Sequence, residues 1–312
     1  MTLNKYFIFS DVHGEYEALM NGLNEAGYDS MNKTHILVSL GDNFDRGPDS
    51  VKVWDFLRRH NAICVKGNHD AMFQEYLEKG MDGEFVLFNI LHNGLGATIK
   101  SFAGIMDKNR NDYSIKDYNR IRTEINNRQP VLSWLQKLPL YFETDTMIFV
   151  HAGINPSIAD WKQSGEDYML WDIEDSHKNC PNVNGKLVIV GHHHAARVRE
   201  RGKPEWGDVD ISKTYIQTHS CTEDGEHHTC ALKSYGNTDE NRPYINGNKI
   251  CIDGCTNLTK KVNVLVIEDF PKREEPEVKV QESEGVRVTA NLNDPYNWSY
   301  STTTTGPMWF NL

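Results

Sequence analysis

Tyr6-Phe7-Ile8-Phe9 runs straight into Ser10-Asp11-Val12-His13-Gly14, and the rest of the chain reads outward from that junction. A short apolar run ends in a polar, glycine-closed cluster. A stretch with Tyr16, Leu19, Met20 and Leu23 at helical spacing follows. The same sentence is written twice more. Residues 35–40 (HILVSL) run into Gly41-Asp42-Asn43-Phe44-Asp45-Arg46-Gly47-Pro48 and a helix carrying Val51, Trp54, Phe56 and Leu57. Residues 62–65 (AICV) run into Lys66-Gly67-Asn68-His69-Asp70 and a third helix. Strands alternating with helices read as βαβ units. The runs are apolar throughout rather than alternating, which predicts strands covered on both faces. The fold class expected is α/β.

Further along, residues 84–140 read as mostly helical. Two more strand-like runs end in histidines: residues 146–150 in His151-Ala152-Gly153, and residues 186–190 in Gly191-His192-His193-His194. Residues 249–253 and 262–267 read as late strands. Residues 200–248 are polar and read as a long insertion, and residues 271–312 as a charged linker and tail, leaving residues 1–270 as the main domain.

The whole chain of 312 residues carries 33 Lys+Arg against 44 Asp+Glu, a formal charge of −11. So acidic a chain lacks the cationic field that general nucleic-acid or anionic-membrane binding needs. No run approaches the roughly 20 apolar residues of a membrane span. Without an export signal the expected location is the cytoplasm, where the six cysteines are thiols or metal ligands rather than bridges. His219, Cys221, His227, His228 and Cys230 are dense enough to suggest structural zinc. Their spacing does not fit a zinc knuckle, so incidental thiols in an insertion are the favoured reading.

Side chains at the carboxyl ends of neighbouring strands converge on one edge of a sheet. Asp11, His13, Asp42, Asn68, His151 and His192 can therefore meet. Carboxylate, imidazole and amide oxygen together suit manganese, iron or zinc better than calcium. Six ligands are too many for one tetrahedral ion and suit two divalent ions sharing a carboxylate. Each residue also has a blander reading: Asp42 or Asp45 capping the second helix, Asp70 capping the third, Arg46 in a surface ion pair.

The five clusters in order (DxHG, GDxxDRG, GNHD, a histidine after an apolar strand, GH) resemble the calcineurin-like metallophosphoesterase superfamily, most closely its phosphoprotein-phosphatase branch. The resemblance runs over about residues 6–195. It implies a β-sandwich of two mixed sheets flanked by helices, and a dinuclear site. Asp11 and His13 would hold the first metal, Asp42 would bridge, and Asn68, His151 and His192 would hold the second. His194 is a seventh candidate ligand. Arg46 and Asn68 would face the substrate phosphate. His69 is assigned as general acid, oriented by Asp45. The function expected is hydrolysis of phosphomonoesters, as by a serine/threonine phosphoprotein phosphatase, through in-line attack of a metal-bridging hydroxide. Two alternatives stand beside it. One is a diadenosine tetraphosphate hydrolase, since Asp70 rather than glutamate follows His69. The other is an impaired phosphate- or partner-binding scaffold, since residues 170–175 (LWDIED) are acidic where relatives carry a second phosphate-clamping arginine; Arg197 and Arg199 are possible substitutes.

Overall fold

A computed structural model describes residues 4–105, 113–202, 215–220, 227–269, 287–290 and 298–301; for 215–220, 227–230, 269, 287–290 and 298–301 the description is of the backbone alone. Two mixed sheets stack face to face. The first runs β3 (Ile63–Cys64), β2 (His35–Ser39), β1 (Lys5–Phe9), β11 (Val264–Asp269), β8 (His227–Tyr235), β7 (Tyr215–Ser220). The second runs β4 (Tyr141–Glu143), β5 (Met147–Val150), β6 (Leu187–Val190), β10 (Lys249–Cys251), β9 (Tyr244–Asn246). Within each sheet one trio is parallel, β1-β2-β3 in the first and β5-β6-β10 in the second. The other pairings are antiparallel. A separate ribbon pairs β12 (Arg287–Ala290) with β13 (Trp298–Ser301).

Successive strand residues serve opposite layers, which explains the unbroken apolar runs. Tyr6 and Ile8 point between the sheets, against Met147, Phe149, Leu187 and Ile189 of the second sheet. Phe7 and Phe9 point outward onto Leu19 and Leu23 of α1 (Tyr16–Ala26) and Val53 and Leu57 of α2 (Ser50–Arg59). The outer face of the second sheet, Ile148, Val150, Val188 and Val190, is covered by Met169 of α8 (Glu166–Trp171) and by Ala195 and Val198 of α9 (Ala195–Gly202). Each such fully buried side chain contributes about 1.5–3 kcal/mol.

The helical segment expected over 84–140 forms a further helical layer. It comprises α4 (Val86–Phe88), α5 (Leu95–Ala103), α6 (Ile115–Arg128) and α7 (Val131–Leu135). These pack on α3 (Asn68–Lys79) around Phe44, Phe73, Tyr76 and Phe102. α6 starts with a reciprocal cap: Ser114 Oγ accepts from Asp117 N–H, and Asp117 Oδ2 accepts from Ser114 N–H. Within the stretch read as a polar insertion, β7, β8 and β9 belong to the sheets. Cys221, together with the side chains of His219, His227, His228 and Cys230, lies outside the described residues, as does the tail apart from the ribbon. Cys64, Cys180, Cys251 and Cys255 are buried free thiols. No described helix is long and apolar enough to cross a membrane.

Candidate active site

The two parallel trios aim their carboxyl ends at the same edge of the sandwich. β1 delivers Asp11 and His13, β2 delivers Asp42, Asp45 and Arg46, and β3 delivers Asn68 and His69 at the start of α3. β5 delivers His151, and β6 delivers His192 and His194. Such switch points are where open α/β sheets bind ligands. The loops are sewn together by their backbones: Asp11 N–H donates to Gly41 O, His13 N–H to Asp42 O, and Gly191 N–H to His151 O. Contact is too close for a side chain at the crossings. A Cβ on Gly67 would overlap the Asp42 carboxylate, and one on Gly191 would overlap Ser10 and Asp11.

Asp11, His13, Asp42, Asp45, Arg46 and His192 all have φ between +48° and +71°. Non-glycine residues rarely enter this left-handed region, at a cost of about 1 kcal/mol or more each. The surrounding hydrogen bonds hold them there.

Donor atoms gather around Asp42. Its carboxylate lies within 4.8 Å of the ring nitrogens of His13 and His69 on one side and of His151 and His192 on the other. Asp11 Oδ1 is 4.0 Å from His13 Nε2, and Asp11 Oδ2 accepts from His192 N–H at 2.9 Å. The outer amide atom of Asn68 lies 2.9 Å from His151 Nε2, 3.1 Å from His192 Nδ1 and 3.2 Å from both Asp42 oxygens. With its nitrogen in that position the amide faces these acceptors as a donor; with its oxygen there it faces acceptors only, the arrangement a cation would have to bridge.

Two rings are pinned by backbone carbonyls. His13 Nδ1–H donates to Phe44 O at 2.9 Å and His151 Nδ1–H to Leu40 O at 2.8 Å, which turns each Nε2 toward the centre. The exposed Arg46 guanidinium donates to the His13 Nε2 lone pair at 2.8 Å and stands 3.2 Å from His69 Nε2. Converging lone pairs, buried carboxylates and a guanidinium at the mouth fit divalent cations. Two groups of side chains, His13-Asp42-His69 and Asp42-His151-His192, are close enough to share an ion each; the first takes in His69 where the sequence pattern expected Asp11.

The electrostatics agree. Burial alone would raise Asp42, but the His151, His69 and His13 charges hold it well below the usual carboxylate range. Burial would lower His151, but Asp42 and Asp11 push it up to about 10. His192 is pushed down to about 2 by burial and by His151. Burial and the Asp42 charge lift Asp70 to about 7, against the pull of the N–H groups it accepts. Those donors are Gly67, Asp42 and Asn43, so Asp70 caps α3 and also ties down the Asp42 loop. α2 begins at Ser50, with Asp49 before it, so neither Asp42 nor Asp45 is its cap.

Beside the ligand cluster stands a buried pair. His69 Nδ1–H donates to Asp45 Oδ2 at 2.7 Å. Burial would lower His69, but Asp42 and Asp45 raise it. His194 stands slightly apart, with Nε2 4.0 Å from Asp253 Oδ2 at the end of β10. His193 is half-buried, packs edge-on to the His192 ring and is in neither donor cluster. Arg199 is turned away: its guanidinium binds the carbonyls of Glu240, Arg242 and Pro243. It therefore does not stand in for a second phosphate clamp, whereas exposed Arg197 lies near enough to His194 to help hold it down at about 4, after burial.

Two features of the site lie beyond the residues that the sequence pattern points to. Asp253 is buried, and burial and Asp11 raise its carboxyl well above the usual range. An acid ending a strand is the signal that could have found it. The other is a groove of about 550 Å³ beside Asn68, lined by Met72, Phe85, Phe88 and Trp171 together with Glu75 and Asp167. Its aromatic residues lie scattered over two distant segments.

A family model described as calcineurin-like phosphoesterase matches residues 5–196. Serine/threonine-protein phosphatase 2 of Escherichia coli is 41% identical over 81 residues, 26% of this chain and 36% of that protein. The asymmetrical bis(5'-nucleosyl)-tetraphosphatase PrpE of Halalkalibacterium halodurans is 25% identical over 180 residues, 54% of this chain and 65% of that protein. A serine/threonine phosphatase structure from Saccharomyces cerevisiae aligns with a TM-score of 0.41 and 15% identity, covering 88% of this chain and 82% of that one. The chain spans about a third of the length of the first curated relatives it matches.

Proposed function

Because the chain belongs to the calcineurin-like phosphoesterase family, we propose that it is a cytoplasmic, dinuclear metal-dependent phosphatase acting on phosphoserine or phosphothreonine in proteins. The observation that carries this is the single Asp42 carboxylate common to both donor clusters. In this reading Asp11, His13, Asp42, Asn68, His151 and His192 hold two divalent ions, manganese in preference to iron or zinc. With its Nε2 turned to Asp253, His194 has Nδ1 left for an ion as a seventh ligand.

When bound, the ions supply Lewis-acid charge to the phosphoryl oxygens and a nucleophile acidified to near-neutral pH. Arg46, a donor only, trades His13 and His69 for phosphate oxygens, which its planar fork matches. Asn68 lies where its amide reaches the same phosphate. His69, charged through Asp45, gives its Nε2 proton to the leaving alkoxide as the P–O bond breaks. The ring is left neutral, with Nδ1–H still on Asp45.

The groove favours peptide over dinucleotide. Its walls are mainly apolar and include two carboxylates, Glu75, paired with Lys79 at 3.2 Å, and Asp167, whose charge repels the additional negative charges of a tetraphosphate chain and welcomes an apolar or basic flanking residue. The tetraphosphatase alternative rests on Asp70 and on the PrpE similarity. Parallel assays of the manganese-loaded protein on a phosphoserine peptide and on diadenosine tetraphosphate separate the two. A higher kcat/KM on the dinucleotide puts the tetraphosphatase first. Bound metal with turnover of neither, nor of p-nitrophenyl phosphate, marks a scaffold.

A further inference from the structure

The helical layer reaches into the acid pair through one residue. Thr98, in the second turn of α5, is fully buried. Its hydroxyl donates to Asp45 Oδ1 at 2.8 Å and accepts the Asp45 backbone N–H at 2.6 Å. Ser50 Oγ, 3.1 Å away, completes the set as a donor. One hydrogen given and two accepted exhaust what a hydroxyl can do. The opposite Asp45 oxygen, Oδ2, takes the His69 proton. Asp45 thus hangs between a threonine and a histidine, with its backbone at φ 71°. The next residue is held by the same segment: Arg46 N–H donates to Gly94 O at 3.2 Å, just before α5, and a Cβ on Gly94 would overlap the Arg46 backbone.

We propose that Thr98 is a positioning residue for the acid pair: its hydroxyl fixes both the carboxylate and the backbone of Asp45, so that His69 presents Nε2 to the leaving-group oxygen. This rests on the phosphoesterase reading of the site. Remove the hydroxyl, and Oδ1 loses its donor while the Asp45 N–H loses its acceptor in a dry pocket. The carboxylate is then free to rotate, and His69 loses its fixed direction.

General-acid help matters in proportion to how poor the leaving group is. That separates positioning from mere structural support. The experiment measures kcat of the manganese-loaded full chain on phenyl phosphate, whose leaving group needs a proton, and on 2,4-dinitrophenyl phosphate, whose leaving group does not. Thr98→Val is expected to lower kcat on phenyl phosphate by about 10–100-fold and on the dinitrophenyl ester by less than about threefold, a fraction of the usual general-acid contribution. Bound metal stays unchanged, and Thr98→Ser restores most of the phenyl phosphate rate. Thr98→Ala, which places no methyl against Asp45, must show the same selectivity and serves if the valine variant does not fold. Equal losses on both esters, no loss on either, or a serine variant as poor as alanine overturn the role of Thr98 while leaving the phosphoesterase reading intact. A wild-type protein inactive on both esters overturns that reading and the inference with it.

Discussion

His69 and Asp45 form a closed pair: the ring Nδ1–H meets Asp45 Oδ2 at 2.7 Å, with the two side chains 5% and 0% exposed. In so dry a place the carboxylate stabilises the ring's charged form, and the ring orients the carboxylate. His69→Asn is therefore expected to keep its metal content and to lose roughly 10²–10⁴-fold in kcat on a phosphoserine peptide, the usual weight of general acid catalysis. Asp45→Asn should fall in the same direction by a smaller factor. Emission spectroscopy of bound metal alongside the assay checks both. A His69→Asn protein stripped of metal would show that the ring is a ligand instead.

Asp42 is common to both donor clusters, so its loss should empty both. Asp42→Asn is expected to bind little metal and to show no measurable turnover. A chelator should lower Tm of the wild-type protein and leave that of Asp42→Asn unmoved. At free metal about 100 times Kd, binding adds about 2.7 kcal/mol to the stability of the folded state. Scanning calorimetry with and without chelator measures it. A variant still stabilised by manganese would remove Asp42 from the centre of the site.

Phe88 is 55% exposed and lines the groove beside Asn68. Phe88→Ala should raise KM for a phosphopeptide with an apolar flanking residue by about fivefold, the equivalent of about 1 kcal/mol of apolar contact. Its kcat on p-nitrophenyl phosphate, which has nothing to place there, should stay within about twofold. A peptide KM that does not move would show that substrates bypass the groove.

Glu143 joins β4 to two lysines, Lys162 at 2.7 Å and Lys186 at 2.8 Å. Burial would raise its carboxyl, but the two ammonium groups outweigh it and the net shift is downward. A carboxylate lowered on folding stabilises the protein above its unfolded pKa, near 4.5, and that contribution vanishes as pH falls through the lower folded value. Partly exposed, the Glu143–Lys186 pair is worth about 0.5–1 kcal/mol. Glu143→Gln should therefore lower Tm by about 1–4 °C at pH 7 and leave a much smaller gap at pH 3. Equal gaps at the two pH values would mean that the glutamate acts through packing.

The parts of the site that a strand must deliver were legible, and the parts that a helix layer delivers were not. Asp11, His13, Asp42, Asn68, His151 and His192 each follow an apolar run, and a parallel strand ends where its apolar run ends. Thr98 had no comparable marker, because a buried threonine in a helix looks like any other until its neighbour across 53 residues is known. β7 and β8 escaped because polar residues dominate the stretch around them. Backbone pairing fixes a strand there, and pairing has no signature in a single chain. The left-handed backbone at Arg46 was equally hidden, since arginine has no preference for it.

That backbone has a consequence for anyone who engineers the molecule. Glycine relaxes a left-handed position that aspartate, histidine or arginine occupies under tension. Selection for heat resistance alone would therefore be drawn to these very residues, and would reward variants that unfold later and do nothing. A hardier version of this protein has to be sought in the outer helices and loops, with the strand-end rim left tense.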